Sequence, residues 1–234
     1  MTGKVYRYLV SLDLGLWLMT GVLLFMVVGS FASSGEEGSS LNDLPLFLWL
    51  REAPLTASCW LWATIGLLAL LALNTVLCSI ESLLKKWERG NFLVRIAPQV
   101  MHLGFLLIMV AHLLSARGSF KQVMEVGEGS TIGFPDGGVV LVERLHAAMG
   151  PMGMPTGFSA QVRTLAGGSV SGTMSPNHPF FYGGFGLYLK EVGFMPAPVA
   201  LVEIHREPGA GWALVGALLF TVGNVALLAV RRGR

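Results

Sequence analysis

RIAPQVMHLGFLLIMVAHLLSAR, residues 95–117, decides how the rest of the sequence is read. The run is apolar and long enough for a spanning helix, which needs roughly 20 mostly apolar residues. Yet it carries two histidines, His102 and His112. An ionisable side chain inside a spanning segment is costly, so it faces a bundle interior, a partner or a bound group. Ten residues of helix separate the two rings by about 15 Å along the axis and about 80° around it. One metal ion or haem iron therefore cannot take both from this helix.

The remaining composition agrees with a membrane reading. Of 234 residues, 53% are hydrophobic and 13% are charged, against about 25% charged residues in soluble domains. Mean hydropathy is +0.63. The net charge of +2 and the scattered basic residues give no electrostatic footprint for nucleic acid. Four runs have the length and polarity of spans: 12–31, 59–80, 97–114 and 212–230. The first is too long for the apolar part of a signal peptide and reads as an anchor. Lys4 and Arg7 precede it, Lys85, Lys86, Arg89 and Arg95 lie between the second and third spans, and Arg231, Arg232 and Arg234 end the chain. Glu36, Glu37, Asp43 and Glu52 dominate the first connection. The positive-inside rule then places both termini and the second connection in the cytoplasm, and the other two connections outside.

Between residues 118 and 208 the character changes. Gly and Pro become frequent, apolar runs shorten, and 138–142, 160–164 and 187–192 read as strands. The expected fold is an α-helical integral membrane protein with four transmembrane helices and a small β-rich extracytoplasmic domain between the third and fourth spans. Its divisions are a membrane part at 1–117, the β-rich domain at 118–208, and the fourth helix with a cytoplasmic tail at 209–234.

Smaller features have plain readings. Gly15, Gly21 and Gly29 allow close helix contact. Asp13 reads as a cap, and Asn74 as a hydrogen-bonding link to another helix. The apolar patch at 45–50, with Trp49, Trp60 and Trp62, reads as lying along the outer interface, where Trp is enriched. Glu81 and Lys85, four apart, suit a solvated helix face. The methionines of 149–157 read as a contact surface on a turn-rich loop. Cys59 and Cys78 are about 28 Å apart along one helix, far beyond the roughly 7 Å reach of a disulfide, and read as small buried apolar residues. Neither CxxC nor CxxCH occurs, so neither thiol redox chemistry nor a covalently attached c-type haem is encoded.

At SPNHPFFYGGFGLYL, residues 175–189, the sequence resembles a segment near the end of the outer domain of ResB/CcsB proteins. These are the cytochrome c biogenesis proteins of the system II pathway. LALNTVLCS at 71–79, HLGFLLI at 102–108 and REPG at 206–209 look like that family in the same order. The outer domain is shorter than is typical of the family.

The resemblance implies a subunit that pairs with a CcsA/ResC-type membrane protein and helps move haem b outward. The haem is then attached to a CxxCH-bearing apocytochrome c. It implies no catalytic residue here, since the tryptophan-rich presenting motif belongs to the partner. It implies His102 as the haem iron's axial ligand, in a bacterial cytoplasmic (inner) membrane. His112, toward the outer end of the same helix, reads from its position as a second cofactor-binding station, a pairing residue or an interfacial histidine. The turn before Pro179 gives His178 a backbone role; His146 and His205 read as surface or structural. Two other readings stay open: a b-type, quinone-linked electron-transfer subunit, and a structural subunit without haem.

Overall fold

The computed structural model describes residues 2–32, 46–86, 92–150, 155–165, 168–193 and 197–232. The chain divides into two compact units, one of residues 1–117 with 209–234 and one of 118–208. The acidic residues of the first connection up to position 43 and Trp87–Asn91 lie outside the described residues, as does the centre of the methionine loop.

The first unit is helical: α1 (Thr2–Leu9), α2 (Leu12–Ala32), α3 (Leu46–Glu52), α4 (Leu55–Lys86), α5 (Phe92–Gly118) and α6 (Ala210–Arg232). Four stretches, Leu12–Phe31, Leu55–Leu84, Phe92–Gly118 and Ala210–Val230, are long and apolar enough to cross a membrane. The second and third outrun the apolar runs at 59–80 and 97–114 at both ends. Polarity does not stop a helix: Ser58 and Thr64 donate their hydroxyls to the carbonyls of Pro54 and Trp60 one turn back, which satisfies them without leaving the helical path.

One sequence expectation needs correction in this unit. The cap of α2 is Ser11, whose hydroxyl accepts the Leu14 amide at 3.1 Å; Asp13 sits inside the first turn, at the positive end of the helix dipole. The patch at 45–50 forms α3, whose Trp49 and Leu50 are buried with Trp60 and Leu61, leaving Phe47 and Leu48 outward. Burying two tryptophans against each other removes more apolar area than either could hide on a lone helix.

Small residues set the helix contacts. On α2, a Cβ at Gly15, Gly21 or Gly29 would meet Asn74, Leu67 or Trp60 of α4, respectively. On α5 and α6 the pattern is stricter. Ala97, Gly104 and Ala111 recur every seven residues, as do Gly209, Gly216 and Gly223. A Cβ on Gly209 would meet the Ala111 carbonyl; on Gly216, the Gly104 carbonyl; on Gly223, Met101 and the Ala97 carbonyl. The order reverses along the two helices, so they run antiparallel, backbone against backbone. A seven-residue repeat is what keeps one seam in register between helices that wind left-handedly.

The second unit is two four-stranded antiparallel sheets. Its strands are β1 (Phe120–Gly127), β2 (Thr131–Gly133), β3 (Val139–Met149), β4 (Pro155–Thr164), β5 (Ser171–Met174), β6 (Phe180–Tyr182), β7 (Phe185–Gly193) and β8 (Val199–Arg206). One sheet runs β1-β8-β7-β6 and the other β2-β3-β4-β5. Alternation does the sorting: along β8, Ala200, Val202 and Ile204 point inward and their neighbours outward. They join Val140, Val142, Val162, Met174, Phe185 and Leu187 in one core between the sheets. Each such side chain contributes roughly 1.5–3 kcal/mol by leaving water.

The segment at 175–189 is built by backbone demands. Ser175 and His178 exchange both backbone hydrogen bonds, and Asn177 closes that turn at φ 64°, a region Asn tolerates better than most residues. Tyr182 pairs with Phe185, leaving Gly183 and Gly184, at φ 56° and 82°, as the two-residue hairpin turn that requires positive φ at both positions. The aromatic residues then tie the hairpin to the facing sheet. Tyr182 occupies the space a side chain at Gly138 would need, and Phe180 that of Gly172; Phe134 packs on Tyr182 and Phe185.

Candidate functional site

Asn74 shows how polar groups are used among the helices. It lies on α4 and is buried, and its amide donates to the carbonyls of Leu9 at 2.6 Å and Ser11 at 3.1 Å. These carbonyls belong to the break between α1 and α2; that of Leu9 has no other donor among the described residues, while that of Ser11 also accepts the Gly15 amide at 3.4 Å. Asn74 is thus the helix link that the sequence suggests. One turn on, Cys78 donates its thiol to the Val10 carbonyl. Both cysteines are free; Cys59 is exposed and Cys78 half-buried. The reading of both as buried is corrected: Cys59 stands on an open face of α4, and Cys78 is covered only in part.

His102 lies on α5, two residues before Gly104, and is half-buried. Its Nδ1 is 2.7 Å from the Ser79 hydroxyl of α4, while that hydroxyl donates to the Thr75 carbonyl at 2.8 Å. Thr75 in turn donates its own hydroxyl to Leu71. Nε2 of His102 makes no hydrogen bond among the described residues, and it is not one of the buried side-chain atoms left without a partner. A neutral imidazole held through Nδ1 with Nε2 available is the donor that a haem iron takes. The residue present suits that ligand.

His112, also on α5, is exposed, and its Nδ1 donates to the Ile108 carbonyl at 2.9 Å within the same helix. The structure does not bring the two histidines together. His146 is exposed on β3. His205 contacts Glu207 at 3.0 Å and lies beside Tyr188, and His178 serves its turn through its backbone. No cluster of three or more His, Cys, Asp or Glu positioned for a metal occurs among the described residues.

Residues 88–198 match the model of the ResB-like family. The ResB resemblance read from the sequence is thereby shown over that stretch, which takes in all of α5 with its two histidines and the β unit as far as the start of β8. Asn74, Ser79 and α6 lie outside it. Among solved structures, one titled cytochrome c heme lyase CcmF aligns at a TM-score of 0.47 and 16% identity, covering 87% of this chain and 34% of its own. The chain thus spans about a third of that protein's length. No curated protein matches the chain.

Ser79 is the residue that reading the sequence passed over. It closes the family-like stretch at 71–79, and the signal was there: Asn74, Thr75 and Ser79 are three hydrogen-bonding residues inside an apolar run, and 75 and 79 share a helix face.

Proposed function

We propose that this chain is a ResB/CcsB-like accessory subunit in cytochrome c biogenesis. In this reading it works beside a CcsA/ResC-type membrane protein of a system II synthase and handles haem as cargo. The four apolar helices lie in the bacterial cytoplasmic membrane with both termini inside, and the β unit lies outside. The observation that carries the reading is that the ResB-like match contains a half-buried histidine on an apolar helix, anchored through one ring nitrogen with the other available.

His102 is the axial ligand. On the positive-inside orientation it stands toward the cytoplasmic end of α5, where haem enters. Haem cannot cross about 30 Å of hydrocarbon unaided with its propionates charged, and a helical interface with an axial imidazole provides a station on the way. His112, toward the other end of the same helix, is a second station. The acceptor is an apocytochrome c, and thioether formation takes place on the partner.

The test is a visible spectrum with pyridine haemochrome quantitation of the detergent-purified chain co-expressed with a CcsA/ResC-type partner, beside His102→Ala. Haem in the first and its depletion in the second is the expected result. Full haem retention and normal cytochrome maturation in His102→Ala would remove that residue from the site. Absence of haem from both would leave an organising subunit, with the chemistry in the partner.

A further inference from the structure

The hydrogen bonds around Ser79 fix where the proton on His102 sits. A serine hydroxyl has one hydrogen to give. At 2.8 Å from the Thr75 carbonyl, Ser79 Oγ must spend that hydrogen there, because the carbonyl can only accept. Two oxygen lone pairs facing each other at that distance would repel. The 2.7 Å contact between Ser79 Oγ and His102 Nδ1 is then a bond in which the ring donates. The relay runs Nδ1–H to Oγ–H to the Thr75 carbonyl. A neutral ring protonated on Nδ1 has a bare lone pair on Nε2, the nitrogen that makes no hydrogen bond among the described residues.

We infer that Ser79 is the positioning residue of the His102 site: its hydroxyl holds the imidazole in the tautomer that presents Nε2 as a ligand, and aims it from a neighbouring helix. This rests on the reading of His102 as the haem ligand. His112 provides the internal comparison. Its Nδ1 donates to a carbonyl of its own helix, so its orientation follows α5 alone. The acceptor for His102 belongs to α4, so its ring is aimed only while α4 and α5 are paired. A hydrogen bond to the distal nitrogen of a ligating imidazole also raises its basicity, and removing such a partner weakens metal affinity by about 10–100-fold.

The experiment reads the tautomer directly, on the haem-free full-length chain in lipid. Solid-state nitrogen NMR of histidine-labelled protein, with His102→Ala to assign the signal, is expected to show Nδ1 protonated and Nε2 bare. Ser79→Ala is expected to shift population to the Nε2–H form, and Ser79→Thr, which keeps a hydroxyl, to restore the wild-type signal. Haem titration of the same three proteins with the partner present is expected to show affinity about 10–100-fold weaker in Ser79→Ala and near wild type in Ser79→Thr. A wild-type ring protonated on Nε2, or a tautomer and haem affinity unchanged in Ser79→Ala, would overturn the inference. If His102→Ala keeps its haem while the tautomer responds to Ser79, the ligand reading fails and the relay stands, so the two failures are told apart.

Discussion

Gly104→Ala adds one methyl group at the tightest point of the α5–α6 seam. A Cβ there would lie 2.5 Å from the Phe220 amide nitrogen and 2.6 Å from the Gly216 carbonyl oxygen. Ordinary contact for a carbon is about 3.5 Å, so the helices must part by about 1 Å at that level. Neither obstructing atom is the end of a flexible side chain; both are backbone of α6. A radial gap of 0.5–1 Å forfeits a quarter to a half of the dispersion energy across it, and the gap extends to the neighbouring seam levels at Ala97–Gly223 and Ala111–Gly209. Overpacking a tight interface costs about 1–3 kcal/mol, and the upper part of that range applies here. Gly66→Ala on α4 is the control, because nothing lies within 4 Å of its Cβ position; it should change stability by no more than about 1 kcal/mol. The assay is reversible unfolding in mixed micelles followed by tryptophan fluorescence. Gly216→Ala should cost about as much as Gly104→Ala, and the double variant less than the sum, because the first methyl has already parted the helices. If Gly104→Ala and Gly66→Ala are equally stable to within about 0.5 kcal/mol, the seam is not the contact that holds α5 to α6.

Two further substitutions test the polar and turn assignments. Asn74→Ala leaves the Leu9 carbonyl without its donor and that of Ser11 with only the long bond from Gly15, and at about 0.6 kcal/mol per interhelical bond, up to about 1.7, it should destabilise by about 1–2 kcal/mol in the same assay; no change would mean that water or lipid headgroups take the carbonyls equally well. In the β unit, Asn177→Gly should be close to neutral because the backbone stays at φ 64°, whereas Asn177→Ala should lose about 1 kcal/mol to the left-handed conformation. Equal effects, read from thermal unfolding of the full chain, would count against a turn role for that residue.

Much of the architecture was legible because each signal came from a few neighbouring residues. Short apolar runs between Gly- and Pro-rich stretches marked β3, β4 and β7 at 138–142, 160–164 and 187–192, and apolar length marked all four long helices. What escaped depended on partners far away in sequence. α1 reads only as a basic flank until its helix forms, and the end of α1 shows itself as a break only when Asn74, over sixty residues on, takes the carbonyls of Leu9 and Ser11. The burial of Trp49 depends on Trp60 across a tight connection. The glycines at 209, 216 and 223 carried a readable period, but a period alone does not name the facing helix. His102 stood out at once, because an ionisable residue in an apolar run is conspicuous by itself. Ser79 did not, because a serine in a span usually bonds its own helix, and this one does that and accepts a second bond as well.

The seam and the histidine lie on opposite sides of the same helix, and this joins the structural and functional arguments. At about 100° per residue, His102 is about 160° around α5 from Gly104 and about 180° from Ala111. One side of α5 therefore packs backbone to backbone on α6, and the other offers the His102 ring to Ser79 of α4. A ligand must be held to within about 0.5 Å to be well placed, and sites on supported helices meet that demand better than sites on loops. α6, which lies outside the family match and carries no histidine, thus bears on the site through α5. Parting the seam by about 1 Å moves α5 by twice the tolerance that His102 would have in the proposed ligand role. A change at Ser79 alters the ring's proton and aim and removes one α4–α5 hydrogen bond, about 0.6 kcal/mol, without touching the seam. Gly104→Ala is accordingly expected to lower haem retention with a stability loss in the upper part of about 1–3 kcal/mol, and Ser79→Ala to lower haem retention with a stability loss of no more than about 0.6 kcal/mol.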